Sequence, residues 1–175
     1  MTQTHLQGLP AHIDEDSRVL ILGTLPGAKS LQSGRYYADP TNRFWPLLFA
    51  ACGEAFENTD DAKDALLRKY HIALWDVLAS AVREGSSDRA LQDEIPNDLP
   101  RLLKAHPNIR LLIFHSGDAL RYFRHFFKNT SVPYICVSSP SGQNRKCTEE
   151  KVHEWRAALS AALPELQSAE KLQRR

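Results

Sequence analysis

The chain has 175 residues, 42% of them hydrophobic and 25% charged, with a formal net charge of +1, proportions that suit one soluble domain with a core of its own. No apolar run approaches the roughly 20 residues of a membrane span, and the opening MTQTHLQGLPAHIDEDS lacks the basic-then-apolar pattern of a secretory signal. Cys52, Cys136 and Cys147 are widely spaced, which argues against a zinc or iron–sulfur cluster and fits a reducing, cytoplasmic setting.

Four short apolar runs read as strands: RVLILG (18–23), HIALWD (71–76), IRLLIFH (109–115) and PYICVS (133–138). They are nearly continuously apolar, as strands covered on both faces are. Helical patterns fall between and after them. FWPLLFAACG (44–53) is a short apolar helix ending at Gly53, and DDAKDALLRKY (60–70) opens on an Asp cap and ends basic. GDALRYFRHFF (117–127) is amphipathic, and TEEKVHEWRAALSAAL (148–163) opens on Thr148 with acids in its first turn. The core is therefore expected at about 18–163 of a single domain, with 1–16 and 165–175 flexible.

This alternation predicts an α/β fold, a three-layer sandwich whose central, mostly parallel four-stranded sheet is flanked by helices. Ligands of such folds sit beyond the carboxyl ends of the strands. The segments there are GTLPGAKS, VLASAVREGSSD, HSGD and SSPSGQNR, all turn-rich and read as loops on one rim. GTLPGAKS lacks the spacing of a phosphate loop or dinucleotide loop; alone it reads as a tight turn whose glycines let backbone approach a ligand. SSPSGQNR offers hydroxyls, amides and one Arg ahead of a helix, which suits phosphate contacts and equally suits a polar loop leading into that helix. No H-E-x-x-H or G-x-S-x-G occurs. His115 stands at a strand end. Charge is unevenly divided: residues 1–100 carry a balance of −6 and residues 101–175 one of +7. A basic half can meet nucleic acid, and it can equally belong to a dipolar soluble protein.

One stretch resists a structural reading. YYADPTNRFWPLL, from Tyr36, places four large aromatics around Asp-Pro-Thr-Asn, too polar for a core strand and too aromatic for an ordinary surface loop. Together with GTLPG and SSPSGQNR it resembles the uracil-DNA glycosylase superfamily: the strand followed by Gly-x-x-Pro-Gly, the strand followed by Pro-Ser-Gly and a DNA-penetrating loop, and the aromatic-Ala-x-Pro-x-Asn-Arg-Phe-Trp segment of mismatch-specific uracil glycosylases. WDVLASAVREGSSD with YYADPTNRFWPLL is closer to the hypoxanthine-DNA (deoxyinosine) branch. The resemblance spans roughly residues 18–160.

The resemblance implies a monofunctional DNA repair enzyme that flips a deaminated base, hypoxanthine or uracil, and hydrolyses its glycosidic bond with no lyase step, no metal and no cofactor. DNA is the implied partner, no membrane is involved, and a monomer is expected. By resemblance Asn42 is catalytic, with Asp39 a second water-activating candidate where the family more often has His. The implied base pocket comprises Gly23, Thr24, Leu25, Tyr37 and His115, with Tyr37 as the stacking face. The implied DNA contacts are Ser30, Ser139, Ser141, Gly142, Gln143, Asn144 and Arg145. Leu25 occupies a position where many members carry Asp or Asn, His115 one where relatives often show Asn, and Gln143 one where mismatch-specific enzymes tend to have Leu. Leu25 keeps an alternative open, a non-catalytic nucleic-acid- or nucleotide-binding protein of the same fold. An enzyme of free nucleotides is a third reading, disfavoured because it has no use for a penetrating loop.

Overall fold

A computed structural model describes residues 4–83, 91–141 and 148–167. Its elements in chain order are β1 (Thr4–Gln7), β2 (Val19–Gly23), α1 (Ala28–Ser33), α2 (Phe44–Cys52), α3 (Asp60–Lys69), β3 (Ile72–Asp76), β4 (Leu78–Arg83), β5 (Leu91–Pro96), α4 (Leu99–Ala105), β6 (Leu111–Phe114), α5 (Gly117–Phe126), β7 (Tyr134–Cys136) and α6 (Glu149–Ser160). The four expected strands form one sheet in the order β3-β2-β6-β7, parallel at every pairing. Val19 lies opposite Ile72 on one side and Leu111 on the other.

Cover on both faces explains the apolar runs of β2, β3 and β6, but not that of β7, an edge strand that leaves Tyr134 and Ile135 exposed. Val19 and Ile21 of β2 join α2, α3 and α6 in one core, around Phe44, Leu48, Leu67 and Trp155. Leu20 and Leu22 join α4 and α5 in the other, around Leu112, Phe114 and Phe123. β2 and β6 are wholly buried as a result. Helix starts follow local chemistry. Thr148 caps α6 by accepting the Lys151 N–H at 3.3 Å. The cap of α3 is Thr59, not Asp60: its hydroxyl accepts the Ala62 N–H at 3.2 Å, and the acids fall in the first turn. Gly53 ends α2 in the left-handed region at φ 77°.

The structure adds a second, antiparallel sheet, β1-β4-β5, that the sequence pattern did not announce. LASAVR, read above as a loop after the second strand, is instead β4: small residues with no clear alternation, paired on both sides. The N-terminal segment, expected to be loose, supplies β1, and His12 forms an isolated antiparallel bridge with Leu74 that covers the outer edge of β3. At the other end, Leu166 packs into the core.

Because β3 and β6 lie on opposite sides of β2, the chain reverses direction across the sheet between β2 and β6. That crevice is the switch point at which such sheets hold ligands. Gly23 ends β2 there and His115 follows β6.

Candidate active site

The floor is built around Gly23. A Cβ added to it would come within 2.5 Å of Asp76 Oδ1 and 2.6 Å of His115 Nε2. Only glycine lets the ends of three adjacent strands bring a carboxylate and an imidazole this close to one backbone position. Asp76 is 4% exposed. Its carbonyl accepts the Asn97 side-chain amide at 2.8 Å, which fixes the last residue of β3. His115 is half-buried, and burial pushes its imidazole down to about 4, so near neutral pH it is an uncharged ring with one donor and one acceptor nitrogen.

Among the described residues, three polar atoms of this region are buried without a hydrogen-bond partner: Thr24 Oγ1, Tyr37 Oη and His115 Nδ1. Leaving such a group unpaired costs about 1–3 kcal/mol, so three around one crevice are what a site kept for a polar ligand looks like. Tyr37 also adopts φ 55°, strained for a residue with a side chain. Its ring stacks on Phe44 with centroids 3.6 Å apart and meets the edge of His115 at 5.4 Å. Burial first, and then the charge of Asp76, raises its phenol well above the ordinary value. The hydroxyl is therefore a neutral donor at any physiological pH.

The turn from Ala38 to Arg43 behaves differently, because its polar groups are already engaged. Asp39 accepts from the Thr41 N–H at 2.8 Å and the Thr41 hydroxyl at 2.7 Å, and its other oxygen meets Lys29 Nζ at 3.1 Å. The Thr41 N–H, then its hydroxyl and Lys29, hold the carboxyl down at about 2. Asn42 accepts the Phe44 N–H on Oδ1 at 2.9 Å, opening α2; its amide nitrogen keeps two donors for other use. The turn is fastened from behind: Trp45 Nε1 donates to the Tyr36 carbonyl at 3.1 Å, and Ser30 Oγ accepts the Ala38 N–H at 3.2 Å.

The expected site residues separate accordingly. Gly23, Tyr37 and His115 come together at the crevice, with Thr24 next to Gly23 in the chain. Leu25 is 6% exposed and packs into the α4–α5 core, so a ligand there meets its backbone and not its side chain. Ser30, expected to face DNA, is a correction: it is 6% exposed and its hydroxyl is taken by Ala38. Ser139 and Ser141 pair with each other through their hydroxyls at 3.1 Å on the same rim. Gly142, Gln143, Asn144 and Arg145 lie outside the described residues. Helix α6 fixes the loop before them: Trp155 Nε1 donates to the Ser138 carbonyl at 3.0 Å and buried Lys151 Nζ to the Ser139 carbonyl at 2.8 Å. The Arg43 N–H donates to the Pro140 carbonyl at 3.3 Å, joining the aromatic turn to that loop. Asp76 was missed as a site residue; it reads as a strand end until the sheet order sets β3 beside β2. Among the described residues no cluster of His, Cys, Asp and Glu could hold a metal ion.

Comparison with known proteins gives a consistent pattern. The family model described as the uracil DNA glycosylase superfamily matches residues 10–163. A hypoxanthine DNA glycosylase of Methanosarcina acetivorans is 35% identical over 154 residues, which cover 87% of this chain and 97% of that protein. Its namesake in Methanosarcina barkeri is 36% identical over 158 residues, with the same coverage. A G/U mismatch-specific uracil DNA glycosylase of Schizosaccharomyces pombe matches over 43 residues at 44% identity, 25% of this chain and 13% of that protein. A solution NMR structure of a candidate uracil DNA glycosylase from Methanosarcina acetivorans superposes with a TM-score of 0.79 at 32% identity, covering 91% of this chain and 99% of the other.

Proposed function

The chain belongs to the uracil DNA glycosylase superfamily, and on that premise we propose that it is a monofunctional DNA repair glycosylase that removes deaminated bases, hypoxanthine and uracil, from DNA. The observation that carries the reading is the crevice at Gly23, where three buried polar atoms lack partners beside a carboxylate and a strained aromatic.

A base inside a duplex is out of reach, so the enzyme must take the target nucleotide out of the stack. The flipped base stacks on the face of Tyr37 away from Phe44, a contact worth about 1–3 kcal/mol. Its edge meets Asp76 and His115. Hypoxanthine and uracil both present a ring N–H beside a carbonyl, which a carboxylate accepts. Adenine and cytosine present a ring lone pair at the same place, which a carboxylate repels. Deamination is thus readable at one atom. As the glycosidic bond breaks, positive charge develops on the sugar and negative charge on the departing base. The Thr24 and Tyr37 hydroxyls and the backbone of the first loop offer donors to that negative charge, each typically worth about 3 kcal/mol. Asn42 holds the attacking water through its free amide donors. In this proposal Asp39 keeps the turn in shape, since its carboxylate is already engaged by Thr41 and Lys29. Ser141 and the loop after it lie along the DNA backbone, and the protein works as a monomer in the compartment that holds the DNA.

The test is a panel of oligonucleotides, single- and double-stranded, each carrying hypoxanthine, uracil, xanthine or a G/T mismatch, incubated with the protein and then treated with alkali. The expected result is an alkali-labile site at hypoxanthine or uracil. Leu25 favours a second reading, since it places an apolar core side chain where many members carry a water-positioning group. A binder of this kind retards the same DNA in a gel and leaves no labile site.

A further inference from the structure

We propose that Arg83, on the antiparallel sheet and outside the crevice, is a positioning residue that sets the first-motif loop in its working conformation, an inference that rests on the glycosylase reading. Four consecutive carbonyls of that loop are held by one segment. The Val77 N–H donates to the Gly23 carbonyl at 2.9 Å and the Leu78 N–H to the Thr24 carbonyl at 3.1 Å. Beyond Leu78 the backbone of β4 turns to pair with β1 and β5, and can no longer follow the loop. Arg83 takes over: Nη2 donates to the Leu25 carbonyl at 3.3 Å and Nη1 to the Pro26 carbonyl at 3.0 Å.

The guanidinium does this from the interior, since Arg83 is 9% exposed. Burying a guanidinium carries a large desolvation cost. Leu25 and Pro26, whose carbonyls it meets, are themselves buried, while the next residue, Gly27, is exposed. What the buried fork supplies, and water does not, is direction. A planar trans peptide fixes the direction of its N–H once its carbonyl is aimed; the Leu25–Pro26 peptide has no N–H, so the rigid fork holds that peptide by its carbonyl and, through the Pro26 carbonyl, aims the Gly27 N–H. The loop so held begins at Gly23, which ends β2 against Asp76 and His115. Arg83 thus ties the antiparallel sheet to the geometry of the reacting end of the parallel one, by contact with the loop and not with the base.

The test compares wild type, R83K and R83A. In single-turnover excision at saturating DNA, R83A is expected to lose about 10²-fold, the size of effect that a misplacement of about 1 Å produces. Its Kd for DNA carrying the abasic product should stay within about twofold, since no phosphate contact is removed. R83K keeps the charge and loses the fork, and is expected to be similarly slow. Methylguanidinium, added as a free ion, should restore part of the rate in R83A and none in R83K. A rate within about twofold of wild type in R83A, or a loss in R83A that methylguanidinium does not reverse, overturns the inference. Hydrogen exchange at the amides of residues 23–25, 27 and 28 reads the same clamp without turnover: faster exchange in R83A, slowed again by methylguanidinium, supports it, and unchanged exchange overturns it. Absence of excision by wild type refutes the glycosylase reading instead, and the exchange experiment still decides the role of Arg83.

Discussion

The crevice floor and the Asp39–Asn42 turn lie within one site and are built on opposite principles. In the floor, buried polar atoms are left without partners: Thr24 Oγ1, Tyr37 Oη and His115 Nδ1. In the turn, nearly every polar atom is engaged, with Asp39 held by Thr41 and Lys29 and Asn42 by Phe44. An unsatisfied buried group is a standing cost that a ligand can relieve. A satisfied turn at the surface is a rigid frame. On the proposed mechanism the floor is the part that recognises, and the turn the part that holds the Asn42 amide in place.

Among side-chain truncations in the two regions, the largest effect is expected at Asn42, in the turn. Asn42→Ala should lower single-turnover excision by about 10²-fold, the usual loss for one transition-state donor. If instead the variant melts early with near-normal turnover, Asn42 serves the helix start alone and the turn has no part in the chemistry.

Next in size is Tyr37. Replacement by Ala should weaken base capture by about 1–3 kcal/mol, measured as the ratio of affinities for DNA with and without the damaged base. Tyr37→Phe keeps the stacking face and should retain most activity. Equal losses in both variants would move the role from the ring to the hydroxyl.

His115 separates the regions by pH. Its folded-state value, lowered by burial to about 4, lies below the ~6.5 of an unfolded histidine. Between these values the unfolded chain binds the extra proton. Stability contributed by the neutral ring is therefore complete above about pH 6.5 and is lost as pH falls toward 4. Denaturant melts of wild type and His115→Asn should show a steeper acid loss in wild type; identical profiles would mean that the ring is not held neutral in the floor. The smallest effect belongs to the frame. Asp39→Asn removes a partly exposed carboxylate and its Lys29 contact, where surface pairs are worth about 0–1 kcal/mol, so excision should stay within about threefold of wild type. Should Asp39→Asn abolish excision while Asn42→Ala does not, water activation belongs to Asp39.

The parallel sheet was legible because all four of its strands are apolar runs, and the periodicity of α3, α5 and α6 was plain. The antiparallel sheet was not. THLQ is short and polar, LASAVR is small-sided, and LQDEIP carries two acids and a Pro with an exposed face; each is a strand only because its neighbours pair with it. The site divided the same way. The aromatic turn stood out from composition, because Tyr36 and Tyr37 stand beside Asp-Pro-Thr-Asn, while Phe44 and Trp45 open α2 as buried core residues. Asp76 and Arg83 did not stand out, because their meaning depends on which strand lies beside β2 and on a contact 57 residues away in the chain. Ser30 was a DNA contact only by family resemblance, and the fold turns it inward, its hydroxyl accepting the Ala38 N–H.

Gly23→Ala tests the central claim most directly. The added methyl would stand 2.5 Å from Asp76 Oδ1 and 2.6 Å from His115 Nε2, so both side-chain ends must move, while backbone and core are untouched. The measurement is single-turnover excision of hypoxanthine and uracil from an oligonucleotide, alongside thermal melting of the same preparation. The account expects a folded protein whose excision falls by about 10²-fold or more, as displacement of reacting groups by about 1 Å implies. Full excision in a folded Gly23→Ala protein would contradict it, because a base could not then be resting on the floor between Asp76 and His115.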